Sequence, residues 1–453
     1  MCMSIAKFES MLKTNDVYFF DAVEFENIID HYITTGKHAL AKKAVKLGLN
    51  QHPYSIQLKL LKVEILVFEN QITQAVELLT QIEALEPNNE EVFIQKATIL
   101  SKNQKHIEAV DMLKKSLEFV QDPVDVWAMI GMEYLYMEDF ESARLNFAKC
   151  IDVDYEDYSS LYNIVYCFEM QNDFKGAINF LESYIDKNPY CEVAWHQLGR
   201  QYLEVKELEQ ALRAFDYAVI IDESFIGGYL EKAKTLEELE MYELAIENYM
   251  ITLQLDDPTA YAYLKIGDCF EKLKDFSKAI KNYKLALIED PLLDKALLML
   301  TDVYYKKGNY PKALHYLNRA IEIDESNPVL WRNYAEINIK LNFYEEAMKA
   351  FNTCIDLGDI SLEVYLAMSD VLLYIGDIND AIAVLVKAKA FFNEVAEIEY
   401  RLFGLFFLLN QKKNSFLHLK TALNIDPGYC NLVKDLFPTV FNNDEVKKLL
   451  ITH

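Results

Sequence analysis

Alanine returns at a fixed interval of 34 residues through almost the whole chain: Ala41, Ala75, Ala109, Ala143, Ala177, Ala211, Ala245, Ala279, Ala313, Ala347 and Ala381, with Ser415 at the next step. A period of this length, kept without a slip, marks an array of stacked structural units. Each unit must then bury its apolar face against its neighbours, because it is too small to hold a core alone.

Within each period there are two apolar stretches of helical spacing. The first reads Trp127, Ile130, Gly131, Tyr134 in one repeat, Trp195, Leu198, Gly199, Tyr202 in another, and Tyr263, Ile266, Gly267, Phe270 in a third. Residues at i, i+3, i+4 and i+7 form one stripe on a helix. The second stretch carries the alanine with a large residue four places on, as in Ala143 with Phe147 and Ala211 with Phe215. Helix axes about 8–10 Å apart need small residues where they cross. Gly131, Gly199, Ala233, Gly267 and Ala335 are therefore expected to face the alanines of the second helices. Pro53, Pro87, Pro123, Pro189, Pro258, Pro291, Pro328 and Pro427 close one unit and open the next, since proline cannot extend a helix interior. No useful length alternates with period two. The chain is read as all-α, with about twelve 34-residue helix-turn-helix repeats over 22–429, a capping segment at 1–21 and capping helices at 430–453.

These aromatic, leucine, glycine, tyrosine, alanine and proline places resemble the tetratricopeptide repeat family over about nine tenths of the chain. The resemblance implies an α-solenoid, a right-handed superhelix whose first helices line a concave groove that binds proteins or peptides. Two specialised forms of the family do not fit. The Lys/Asn set that clamps a C-terminal carboxylate in chaperone-binding members is missing, and Asn27, Asn163 and Asn333 are too dispersed for an asparagine ladder.

With 71 acids against 45 bases the chain carries a net charge of −26. Nucleic-acid binding needs phosphates neutralised by Lys and Arg, so this class is disfavoured. Seven scattered cysteines without a CxxC fit a reducing compartment. Residues 1–16 lack a leader's apolar core, and the longest apolar run, Leu402–Leu409, is far short of a membrane span. The expected location is the cytoplasm. Gly227-Gly228 is either a flexible point or a tight turn between repeats.

No enzyme, cofactor or metal is expected. A Gly-rich phosphate loop, HExxH, GxSxG and Cys/His clusters of metal spacing are all missing from the sequence. Asp152, Asp154 and Glu156 begin like a calcium loop, but Asp157 stands where the turn glycine belongs and Asn163 where the bidentate glutamate belongs.

The place one residue after the Gly/Ala slot gives one groove-facing side chain per repeat. Its row includes Met132, Tyr166, Arg200 and Lys234, then the acids Asp268, Asp302, Glu336 and Asp370. Tyr162, Asn163, His196 and Lys265 flank it. Met and Tyr are adaptable contact residues. The cations would hold an acidic group, or else pair with Glu204, Glu231 or Glu238; the acid row would receive a Lys/Arg-bearing segment. Two readings follow: a scaffold or adaptor that holds an extended peptide or protein in its groove, or a structural subunit of an assembly that uses its ends and convex face. The greasy run Phe403, Leu405, Phe406, Phe407, Leu408 is either covered by the C-terminal cap or serves as a dimerisation or docking surface.

Overall fold

The computed structural model describes residues 2–14, 18–255, 259–443 and 445–447. The expected turn at Pro258 and positions 444 and 448–453 of the expected C-terminal capping segment lie outside the described residues. The chain divides into two compact units, Met1–Glu231 and Lys232–His453. Among the described residues all regular structure is helical.

After an N-terminal helix (Cys2–Thr14), the helices come in pairs with an unvarying register. First helices begin at Ala22, Ile56, Glu90, Val124, Tyr158, Glu192, Ile226, Ala260, Asp294, Pro328, Leu362 and Ala396, each 34 residues after the last. Their partners begin 16 residues later in every case, from His38 to Lys412. Every alanine of the series, and Ser415, has no exposed surface.

The turn within each pair is set by one backbone position. Gly36, Asn70, Gln104, Glu138, Asn172, Lys206, Glu240, Lys274, Gly308, Asn342, Gly376 and Asn410 all have φ between 55° and 91°. In each case the next amide donates back across the turn to the first helix, as in Asp173 N to Phe168 O (3.0 Å) and Asp275 N to Phe270 O (2.9 Å). This closes the helix with a left-handed residue and satisfies an otherwise orphaned carbonyl. The second helix then starts on a side-chain cap in several pairs: Asp139, Asp173, Asp275 and Asn309 accept from the amides of Ser142, Gly176, Lys278 and Lys312.

Packing within a pair follows volume exchange. A Cβ on Gly199 would lie 2.5 Å from the Phe215 ring, and one on Gly267 would lie 2.5 Å from the Tyr283 ring. Gly131 stands in the same relation to Phe147 at 2.7 Å. These glycines make room for the aromatic ring four residues beyond the series alanine. Where that second-helix place is aromatic (Phe147, Phe215, Tyr249, Tyr283, Phe351), the first-helix slot is Gly or Ala; where it is leucine, the slot mostly enlarges, as in Val63 with Leu79, Val165 with Leu181 and Thr301 with Leu317.

Contacts between consecutive pairs complete the core of each unit. In the first unit one cluster joins Phe147, Leu161, Ile164, Leu181, Tyr184 and Leu198. In the second, another joins Tyr283, Leu297, Leu300, Leu317, Ile321 and Leu330. Gly227 and Gly228 are neither hinge nor tight turn. They lie in the first turn of helix Ile226–Glu238, where a Cβ on Gly228 would meet Val219 at 2.8 Å.

At the N-terminal end, Phe8 is fully buried, with ring centroids 6.0 Å from Phe20, 6.3 Å from Phe25 and 6.1 Å from Tyr32. Towards the C-terminus a 3₁₀ turn (Pro427–Cys430) and helices Asn431–Leu436 and Pro438–Phe441 cross helix Ala396–Leu408. A Cβ on Gly404 would lie 2.3 Å from the Phe437 ring, and Phe403 and Leu405 are fully buried. These elements cover much of the greasy run; Leu408 stays 36% exposed.

Candidate interaction faces on the first helices

In the first unit, Tyr162 and Tyr166 project one turn apart from helix Tyr158–Met170 and are 44% and 46% exposed. Asn163 beside them and Met132 on helix Val124–Tyr136 are half-buried. On helix Glu192–Glu204, the Arg200 guanidinium lies 3.9 Å from Glu169 and 3.3 Å from the Gln197 side chain. Glu169, an acid the sequence does not single out, is on the preceding first helix. The His196 imidazole packs against the rings of Phe215 (5.7 Å) and Phe225 (5.2 Å), so it leans into the hairpin.

In the second unit, Lys234 is half-buried on helix Ile226–Glu238. Lys265 donates to Glu237 at 3.1 Å, and Tyr249 donates to the same carboxylate. Burial works against the Lys265 charge, but Glu237 more than offsets it and the ammonium is held above its usual range.

The acid row is only partly open. Asp268 lies 3.0 Å from the Tyr283 hydroxyl, which is also 3.0 Å from Glu271. Burial pushes the Asp268 carboxyl above the ordinary range against the pull of that hydroxyl. Asp302 pairs with Lys306 at 2.5 Å, and Lys306 also reaches Glu271 at 2.8 Å. Asp370 is raised by burial while it pairs with Arg401, itself buried and held by Glu397 at 3.0 Å. Glu336 is exposed and has no ion-pair partner among the described residues.

Two cavities open along this row. One, of about 320 Å³, lies between helices Asp294–Lys306 and Pro328–Lys340 and is lined by Met299, Asp302, Tyr305, Asn333 and Glu336. The other, of about 730 Å³, is lined by Glu237, Asp268, Glu271, Phe276, Met299 and Lys306. Met299 belongs to both. Met299 and Tyr305, the contact residues that the row itself does not contain, sit three places before and after Asp302. That spacing puts all three on one helix face and is the signal that would have found them.

Among the described residues no group of three or more His, Cys, Asp and Glu comes together as a metal site, and no helix is long and apolar enough to cross a membrane.

Comparison with known proteins agrees with this architecture. The tetratricopeptide repeat model matches residues 128–190 and 230–293, and the model described as anaphase-promoting complex, cyclosome, subunit 3 matches 272–354. Human protein O-mannosyl-transferase TMTC3 is 21% identical over 192 residues, 40% of this chain and 21% of the relative. Anaphase-promoting complex subunit 3 of Schizosaccharomyces pombe is 26% identical over 154 residues, 33% of this chain and 23% of the relative. The aligned parts are thus between a fifth and a quarter of those relatives' lengths. Among solved structures, the C-terminal part of a TPR repeat-containing protein from Cytophaga hutchinsonii is 19% identical with a TM-score of 0.43, covering 53% of this chain and 99% of that one. The 34-residue register, the buried alanine series and the matched models agree: over residues 128–190 and 230–293 the chain carries tetratricopeptide repeats.

Proposed function

We propose that this protein is a non-enzymatic scaffold or adaptor that binds an extended peptide or partner protein along the faces of its first helices. The observation that carries the reading is the pair of adjoining cavities around Met299, which join apolar walls to carboxylates on neighbouring first helices. A segment laid along them would place aliphatic side chains on Met299 and Tyr305 and a Lys or Arg beside Asp302 and Glu336. In the first unit, Met132, Tyr162, Asn163, Tyr166 and Arg200 form the corresponding contact face, with His196 packed beneath it. Lys234, Lys265, Asp268 and Asp370 complete that of the second. The compartment that suits the free, buried cysteines is the reducing cytoplasm.

The second reading, a structural subunit that uses its ends and outer face, draws support from the match to an anaphase-promoting complex subunit model. Exposed apolar residues on second helices, such as Leu145, Ile220 and Ile288, also favour it. An affinity pull-down from the native extract separates the two. Loss of partners in Asp302→Lys/Glu336→Lys or Tyr162→Ala/Tyr166→Ala, with retention in Leu145→Asp/Ile220→Asp, is the outcome expected for groove binding. The reverse pattern would establish the assembly reading instead.

A further inference from the structure

The charge of this chain is very unevenly placed. Residues 31–63 contain Lys37, Lys42, Lys43, Lys46, Lys59 and Lys62 and no acid, although 71 acids over 453 residues would put about five in such a stretch. The fold gathers part of this stretch around a cavity of about 350 Å³ in the first unit. It lies at the seam between helix His38–Gln51 and the next first helix, Ile56–Phe68. Val45, Ile65 and Leu66, all at least nine-tenths buried, form its floor with Leu49, and Lys42, Lys46 and Lys62 stand on its rim.

The cations are not equivalent. Lys42 is spent on Glu69 at 2.7 Å. Lys46 and Lys62 are exposed and have no ion-pair partner among the described residues. Lys62 occupies the place that Ile130, Leu198 and Ile266 fill in other hairpins. Lys96 stands at the same place one hairpin on, but its ammonium is held by Glu83 at 2.6 Å. Nothing comparable neutralises Lys62.

We propose that this seam docks an acidic segment of a partner protein, with two carboxylates on Lys46 and Lys62 and an aliphatic side chain on the floor of Val45, Ile65 and Leu66. Long lysine stems lie along apolar surface while their ammonium groups stay in water, so stems and floor together line an apolar trough of about 350 Å³ below a charged rim. Complementary charge in a strongly acidic molecule steers an anionic partner toward this basic seam. A phosphate backbone fits less well: it would gain a few lysines, offer nothing to the apolar floor, and meet an acidic surface beyond it. The site is separate from the first-helix faces treated above and does not depend on their use.

The test is selection of a random 12-residue phage-displayed peptide library on the intact wild-type chain and on Lys46→Glu/Lys62→Glu. Both substitutions are at exposed positions, and far-UV circular dichroism confirms the fold; Lys46→Gln/Lys62→Gln serves as a milder second variant. Wild type is expected to enrich peptides combining Asp or Glu with Leu, Ile or Phe at least tenfold over the charge-reversed chain, with the neutral variant between them. Recovery of no acid-rich class, or of the same class on all three chains, overturns the proposal. So does displacement of the selected peptide by an equal concentration of a 20-base-pair DNA duplex. Sedimentation velocity supplies the remaining outcome: self-association of wild type that vanishes in the charge-reversed chain would assign the seam to a second copy and overturn the partner-segment assignment.

Discussion

Replacing Gly199 with valine tests whether volume exchange within a hairpin is what fixes the packing of each repeat. A Cβ at this position would lie 2.5 Å from one ring carbon of Phe215 and 2.7 Å from two others, and that ring has no exposed surface into which to retreat. Overpacking of a core costs about 1–3 kcal/mol, and contact this short belongs at about 3; the gain in helix propensity over glycine returns only a few tenths. Phe215→Leu alone removes ring contacts and should cost about 1–1.5 kcal/mol. Independent effects would therefore sum to about 4 kcal/mol. The double variant, however, recreates the buried Val165–Leu181 combination found one hairpin earlier. It should lose only about 1 kcal/mol, a coupling of about 3. Urea titrations followed by circular dichroism give the midpoints, and hydrogen exchange of amides 192–221 localises the change, because stacked repeats need not unfold in one step. A double variant as unstable as the sum of its parts would refute the reasoning.

Gly36→Ala and Gly308→Ala force a Cβ into the left-handed region (φ 71° and 70°) and should each cost about 1 kcal/mol, read as a lowered Tm. Although burial pushes the Glu399 carboxyl up, hydrogen bonds from His418 (2.6 Å) and Lys389 (2.5 Å) hold it below the usual glutamate range. Its contribution is therefore present above the unfolded-state pKa and lost as pH falls through the lower folded value. Acid titration of unfolding should fall more steeply for wild type than for Glu399→Gln, which at neutral pH should be less stable by about 1.5–3 kcal/mol. Phe437→Ala should destabilise the last hairpin by about 3–5 kcal/mol, and removing residues 430–453 should cause self-association in light-scattering chromatography. A monomeric truncation of unchanged stability would contradict the capping contact.

Most of the fold is legible in the sequence because the period is carried by residues that cannot vary freely. The series places mark a close crossing of two helices and are filled by alanine, or by serine at 415, all fully buried. The left-handed turn is invisible to the same reading: its place is filled by Gly, Asn, Gln, Glu and Lys in different repeats, since backbone geometry and not the side chain defines it. The Gly–aromatic pairing is half legible, because the small residue is evident while the atom it avoids is not. On the first-helix faces, spacing picks out Tyr162, Tyr166 and Glu336, which are exposed, but not that His196 packs against Phe215 and Phe225. It does not show that Arg401 is buried beside Asp370, or that Lys306 bridges Asp302 and Glu271. Lys306–Asp302 is an i,i+4 pair on one helix, but Arg401–Asp370 and Lys306–Glu271 join neighbouring repeats about one period apart, where the sequence gives no local signal.

The unvarying register has an evolutionary consequence. Hydrogen bonds at each turn are closed inside a single 34-residue block, so a block duplicated or deleted by unequal recombination arrives with its turn already specified. What must be retuned is only the side-chain fit at the two new junctions. A molecule built this way can change length by whole cassettes while preserving its internal geometry, and exposed residues on each cassette are free to diverge toward separate ligands.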